Sequence, residues 1–246
     1  MANFKFNKKS FITILLIFFI SNANSGESLE MTNSKNSITT KEDAISFYKS
    51  KRVRVHLKNG QVDLIEFYSA KNFNKHDMEF IKFFPEVEAV FIQRKELTDD
   101  GLIYLKNFEN ITSLDFSDSS VNGEGIKFLL SFKKVNFFNV SDAPFTDKGL
   151  QFLSEMNFSE PLEVNLHNTK ITDEGLKYLS KIKLTGALYL ANTKITDEGL
   201  KYLANQKDLV QIDVRGTKVT KAGVKWLDKQ LPNTGIEYGK FVPEKD

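Results

Sequence analysis

Apolar and polar positions alternate along this chain in a fixed two-part pattern. A short apolar–variable–apolar run comes first: Val90-Phe91-Ile92, Leu114-Asp115-Phe116, Phe138-Asn139-Val140, Val164-Asn165-Leu166, Leu188-Tyr189-Leu190 and Ile212-Asp213-Val214. Period-two alternation predicts a strand with one buried face. Seven residues past the start of each run a second motif begins. Ile171-Thr-Asp-Glu-Gly-Leu-Lys-Tyr-Leu179 recurs unchanged at Ile195–Leu203, and looser copies begin at Leu97, Val121, Phe145 and Val219. Its pattern predicts a short helix. Thr172 or Thr196 offers a hydroxyl N-cap, and Asp and Glu fill a first turn where the helix dipole favours negative charge. Leu176, Tyr178 and Leu179 are expected to face inward, with Lys177 and Lys201 toward water.

The motif glycines are Gly101, Gly125, Gly149, Gly175, Gly199 and Gly223, at steps of 24, 24, 26, 24 and 24 residues. One step further back lies a degenerate copy, Phe73–Ile81, with Asp77 at the glycine position. A glycine inside a helix costs about 1 kcal/mol relative to alanine, so its recurrence predicts that helix and neighbouring turn pack closely. One strand and one helix per step make one coil of a solenoid, whose apolar stripe is buried only by stacking on the next coil. The expected fold is α/β: a right-handed solenoid with a parallel sheet on its concave side and short helices on its convex side. The two extra residues of the 26-residue step are expected to bulge from the loop before Leu162, near Glu160-Pro161.

The stretch Leu166-His-Asn-Thr-Lys-Ile-Thr-Asp-Glu-Gly-Leu-Lys-Tyr-Leu179 resembles the leucine-rich repeat of the ribonuclease-inhibitor-like type, as found in exported bacterial arrays. The likeness extends over residues 73–238. It implies the solenoid fold and a role in binding other macromolecules. Thr169, Thr193 and Thr217 stand where many such repeats carry a ladder asparagine, which implies hydroxyl contacts to neighbouring loop backbone; Lys95, Ser119 and Ala143 depart from that pattern.

A solenoid needs caps. Ala44, Ile45, Phe47 and Tyr48 lie at helical spacing, and the alternating runs Val53–Leu57 and Val62–Phe67 flank Asn59-Gly60, a strong hairpin signal. Residues 41–72 therefore predict a helix and hairpin closing the N-terminal end, with a small separate binding element as the alternative. The solenoid proper is expected at 73–231. Residues 232–246 are expected to add a last short strand and a frayed tail.

Before the cap, Lys8-Lys9 precede the apolar run Phe11–Ile20, and small polar residues follow it. This order predicts a signal peptide over residues 1–25. The run is about half the ~20 residues of a spanning helix, so the only membrane link expected is an uncleaved signal segment. Residues 26–40, rich in Ser, Asn, Thr and Lys, predict a flexible linker. The expected location is outside the cytoplasm: periplasm, cell surface or medium.

Composition narrows the chemistry. Of 34 basic residues, Lys5, Lys8 and Lys9 lie in the signal-like segment, which leaves 31 against 32 acidic ones. A nearly neutral chain offers no electrostatic reason for a nucleic-acid partner. With no cysteine there are no disulfides, thiolate metal sites or Cys nucleophile. His56, His76 and His167 lie far apart and show no metal-ligand spacing. The recurring Asp99, Asp147, Asp173 and Asp197 sit one coil apart at helix N-termini, which suits helix starts better than calcium. No phosphate-cradling loop, nucleophile elbow or zinc-binding helix motif appears. No catalytic residue, metal or cofactor is expected.

The concave face is the better candidate site. Strand residues expected to point away from the core include Phe91, Gln93, Asp115, Phe137, Asn139, Glu163, Asn165, His167, Tyr189, Asp213 and Arg215. Most are polar. Phe91, Phe137 and Tyr189 are the exceptions, as anchors for a protein ligand or as rings packed on neighbouring strands. The expected function is a non-catalytic, monomeric binding module that presents this face to a protein or peptide. The alternative is a carbohydrate- or cell-envelope-binding module with Phe91 or Tyr189 stacked on sugar rings.

Overall fold

The computed structural model describes residues 38–240. The expected signal segment 1–25, the linker up to residue 37 and the tail from 241 lie outside the described residues. Nine strands form one sheet in chain order: β1 Arg54–Lys58, β2 Gln61–Glu66, β3 Ala89–Phe91, β4 Ser113–Asp115, β5 Phe137–Asn139, β6 Leu162–Asn165, β7 Leu184–Tyr189, β8 Leu209–Asp213 and β9 Gly235–Glu237. β1 and β2 form an antiparallel hairpin around Asn59-Gly60, both at positive φ. From β2 onward every neighbour is parallel. The hairpin's second strand is thus the first rung of the parallel sheet.

Alternation puts one residue of each strand centre into the core. Ile65, Val90, Leu114, Phe138, Val164, Leu188 and Ile212 are all at most 1% exposed, and they stack in register from strand to strand. Helical segments on the other side close each coil. Asp147–Glu155, Asp173–Leu179 and Lys221–Gln230 are α-helical. Lys75–Phe83, Asp99–Leu105 and Glu124–Leu129 are instead 3₁₀ turns, and Asp197–Leu200 tightens into 3₁₀ at Lys201–Leu203. The apolar spacing tolerates both forms. Leu102 and Leu105, Ile126 and Leu129, and Leu176 and Leu179 are three apart and buried, and a 3₁₀ turn aligns residues three apart on one row. Tyr178 departs from the inward expectation. It is only partly buried, with Lys181 Nζ 5.2 Å from its ring centre. A helix this short has room for one buried row, and the two leucines take it.

The coils are locked by the repeated Thr-Asp and Gly. Asp147 accepts from Thr172 N (2.9 Å) and Thr172 Oγ1 (2.6 Å) of the next coil. Asp173 holds Thr196 in the same way (2.8 and 2.7 Å), and Asp197 holds Thr220 (2.7 and 2.6 Å). Asp99 accepts from the backbone of Asn122, Gly123 and Gly125. These aspartates serve the helix start of the following coil. Their carboxylates lie where a Cβ on the next glycine would be: on Gly175, Gly199 or Gly223 it would fall inside 3.0 Å of Asp147, Asp173 or Asp197. The last coil carries Lys221 in the Asp position.

The threonine ladder needs correction. Thr169, Thr193 and Thr217 donate to Leu166, Leu190 and Val214 O within their own coil, at 2.6–2.7 Å. The backbone folds back after each strand through a left-handed residue, and this brings the carbonyl three residues back within reach. Asp118, Asp142, Asn168, Asn192 and Gly216 occupy that left-handed position at φ 51–69°. Asn and Asp tolerate this conformation better than other side chains, and Gly best.

The N-terminal end is closed by Lys41–Ser50, started by a reciprocal capping box between Thr40 and Asp43. Residues 39–40, at the end of the expected linker, are therefore part of a helix cap. Phe47, Tyr48, Phe67, Phe73, Phe80 and Phe84 pack ring to ring at 4.8–6.0 Å. Tyr48 Oη donates to Asp77 O (3.0 Å), and Lys51 pairs with the buried Asp77 carboxylate (3.3 Å).

Candidate binding face

Strand alternation and register set out rows on the open face of the sheet. One row runs Leu64, Ala89, Ser113, Phe137, Glu163 and on to β7. The next runs Glu66, Phe91, Asp115, Asn139, Asn165, Tyr189, Asp213 and Glu237. Gln93, His167 and Arg215 follow just past the strand ends. Helices are wider than the ~4.8 Å spacing of strands, so a stack of such coils bends with this face inward.

Eight of the eleven residues expected on this face keep accessible surface, and three do not. Asp115, Asn139 and Asp213 are 8%, 9% and 3% exposed, which corrects their assignment to a solvated surface. The cause is local: each side chain folds over the turn that ends its strand. Asp115 Oδ1 accepts from Ser117 N and Oγ (2.9 and 2.6 Å), Asn139 Oδ1 from Ser141 N (3.0 Å) and Asp213 Oδ1 from Arg215 N (3.0 Å). Asn165 does the same for His167 N (3.0 Å) while staying partly exposed. This is the Asx turn, a natural stop for a short strand.

Neighbouring side chains then engage most of the face's charge. Asp115 Oδ2 accepts from Gln93 Nε2 and Asn139 Nδ2, both at 3.1 Å. Arg215 bridges Asp213 (2.7 Å) and Glu237 (3.0 Å), and Gln211 donates to Glu237 (2.7 Å). Arg54 lies 3.9 Å from Glu66. Burial raises the Glu66 carboxyl above its usual range, opposed by Arg54 and His56. Burial also raises the Tyr189 phenol, helped by Glu163, Glu237 and Asp213.

Phe91, Phe137 and Tyr189 are all partly exposed. They sit on different strands, with β4 between the first two and β6 between the last two. The face therefore offers three separate rings in a polar field.

The histidines remain dispersed: His56 meets Asp63 (2.6 Å) and His76 meets Tyr104 (2.6 Å). Among the described residues no three His, Asp or Glu side chains group as a metal site requires, and no helix is long and apolar enough to cross a membrane. Sequence reasoning missed Leu64, Glu66 and Glu237 on this face. Their strands had been assigned to caps, yet the alternation in Val62–Phe67 and Ile236–Tyr238 carried the signal.

A family profile described as Leucine Rich repeat matches residues 162–180 and 187–204. No curated protein matches the chain. Among solved structures, internalin C2 from Listeria monocytogenes is similar at 17% identity, over 74% of this chain and 74% of that one, with a TM-score of 0.50. At that identity the likeness concerns the fold. Two segments of this chain thus match the leucine-rich repeat, and the described coils stack as a strand-and-helix solenoid whose fold is similar to that of internalin C2.

Proposed function

We propose that the protein is a non-catalytic, exported and monomeric binding module of the ribonuclease-inhibitor-like repeat type. Its concave face would receive a protein or peptide. The observation that carries this reading is the trio Phe91, Phe137 and Tyr189, partly exposed on a largely polar sheet face that no helix of the described residues covers. Aromatic rings bury large area at small entropy cost, which suits them as anchors. The polar residues around them, among them Gln93, Asn165, His167 and Arg215, suit directional contacts at the rim. Leucine-rich-repeat proteins generally bind proteins, and this supports the same class of partner. The basic, apolar and then small-residue order of residues 1–25 supports export.

The test is affinity capture with the protein and identification of what it retains, followed by affinity measurement with the purified partner. Phe137→Ala with Tyr189→Ala should weaken that affinity at least tenfold while leaving the circular dichroism spectrum unchanged. Unaltered affinity in the double variant would remove the concave face from consideration. Retention by insoluble polysaccharide, lost in the same variant, would replace the protein ligand with a sugar.

A further inference from the structure

Glu163 differs from every other acid on the open face. Asp115, Asp213, Glu237 and Glu66 each have a donor or cation beside them. Among the described residues no Lys or Arg pairs with Glu163, and its carboxylate forms no hydrogen bond. Burial alone raises its carboxyl above the usual range.

Its surroundings are irregular in a specific way. Leu162 pairs with Leu184 and Val164 with Leu188, so Thr185, Gly186 and Ala187 of β7 stand opposite the single residue Glu163. Gly186 is left-handed at φ 64°, and a Cβ there would lie 2.7 Å from Glu163 Oε2. The bulge thus seats the carboxylate over a bare stretch of backbone. Phe137 is its register partner on β5. On the other side Tyr189 is close enough for the carboxylate's charge to act on its phenol.

We infer that Glu163, over the Gly186 bulge and between Phe137 and Tyr189, is the receptor for a lysine or arginine side chain on the bound protein segment. This rests on the concave-face reading above and adds the chemistry of the partner. A half-desolvated carboxylate with no counter-charge is costly as the free protein stands. An incoming cation restores the lost solvation with a hydrogen bond in which both partners are charged, and it supplies the counter-charge that a neutral donor lacks. Rings on both sides add attraction for the cation and for the alkyl stem that carries it. A neutral donor could hydrogen-bond the carboxylate but would bring neither the counter-charge nor the attraction of a cation to the rings.

The test selects binders from random twelve-residue linear peptides displayed on phage, then measures the affinity of each selected peptide and of its analogue with Lys or Arg replaced by Gln. The expected peptides carry a Lys or Arg whose replacement costs tenfold or more on the wild-type protein. On Glu163→Gln that cost should shrink to less than threefold, whereas Glu198→Gln, on the helical side, should leave it intact. Peptides that lose binding with Tyr189→Ala but show no cation preference, or the same cation effect on Glu163→Gln, would overturn the inference and leave the concave face standing. Peptides insensitive to both variants, or no selected binder at all, would overturn both.

Discussion

The Asp–Thr–Gly lock makes a quantitative claim that inverts an ordinary rule. Replacing a helical glycine by alanine is expected to stabilise by about 1 kcal/mol. At Gly199 the new Cβ would lie inside 3.0 Å of Asp173 Oδ1, and that oxygen is not free to swing away. Thr196 N (2.8 Å) and Thr196 Oγ1 (2.7 Å) hold the carboxylate from the next coil. Losing two charge-assisted bonds at this part-buried site costs about 3 kcal/mol. Gly199→Ala should therefore destabilise by about 2 kcal/mol net of its helical gain.

Asp173→Ala alone should cost about 2 to 3 kcal/mol for the same lost bonds. In that background the obstructing oxygen is gone, and the next nearest atom to the Cβ is Cδ1 of the flexible Leu176 side chain, at 3.0 Å. Gly199→Ala should then be close to neutral, which gives a coupling of about 2 kcal/mol in the double-mutant cycle. Urea unfolding followed by far-UV circular dichroism reads all four corners. The molecule contains its own control. At Gly125 a Cβ would strike the backbone O, C and Cα of Asp99, so Asp99→Ala should give Gly125→Ala no relief. If Gly199→Ala proved equally harmful with and without the Asp173 carboxylate, the lock would not be what demands the glycine.

Two further outcomes follow from local physics. The folded state raises the Glu163 carboxyl above its ordinary value of 4.5, so folding favours the protonated form. Its contribution is present in full below that ordinary value and is lost as pH rises through the folded one. Glu163→Gln should accordingly be more stable than wild type at pH 7 and equal to it near pH 3, as thermal melts across pH would show. Asn192 sits at φ 57° with no Cβ-branched alternative suited to that region. Asn192→Val should cost about 1–2 kcal/mol by urea denaturation, whereas Asn192→Gly should change stability by less than about 0.5 kcal/mol.

What the chain determines by itself is the coil. Alternation at Val90–Ile92 and its five copies, with an apolar-x-x-apolar spacing twelve residues after each strand start, leaves one architecture that buries every apolar stripe. Periodicity is a local property, so strands, helical segments and stacking were all legible without coordinates. Whether a segment forms an α-helix or a 3₁₀ turn was not, because a three-residue apolar spacing satisfies both. Tertiary structure alone decided where the polar side chains point. Asp173 looked like the first-turn acid of its own helix, yet it binds the next coil, 23 residues away. Asp115, Asn139 and Asp213 looked like surface residues and instead stop their strands. Glu163 stands apart only because β7 bulges opposite it. A strand pattern says which face a residue is on. Only the neighbouring strand, brought alongside by the fold, decides whether a carboxylate there finds a partner or waits for one.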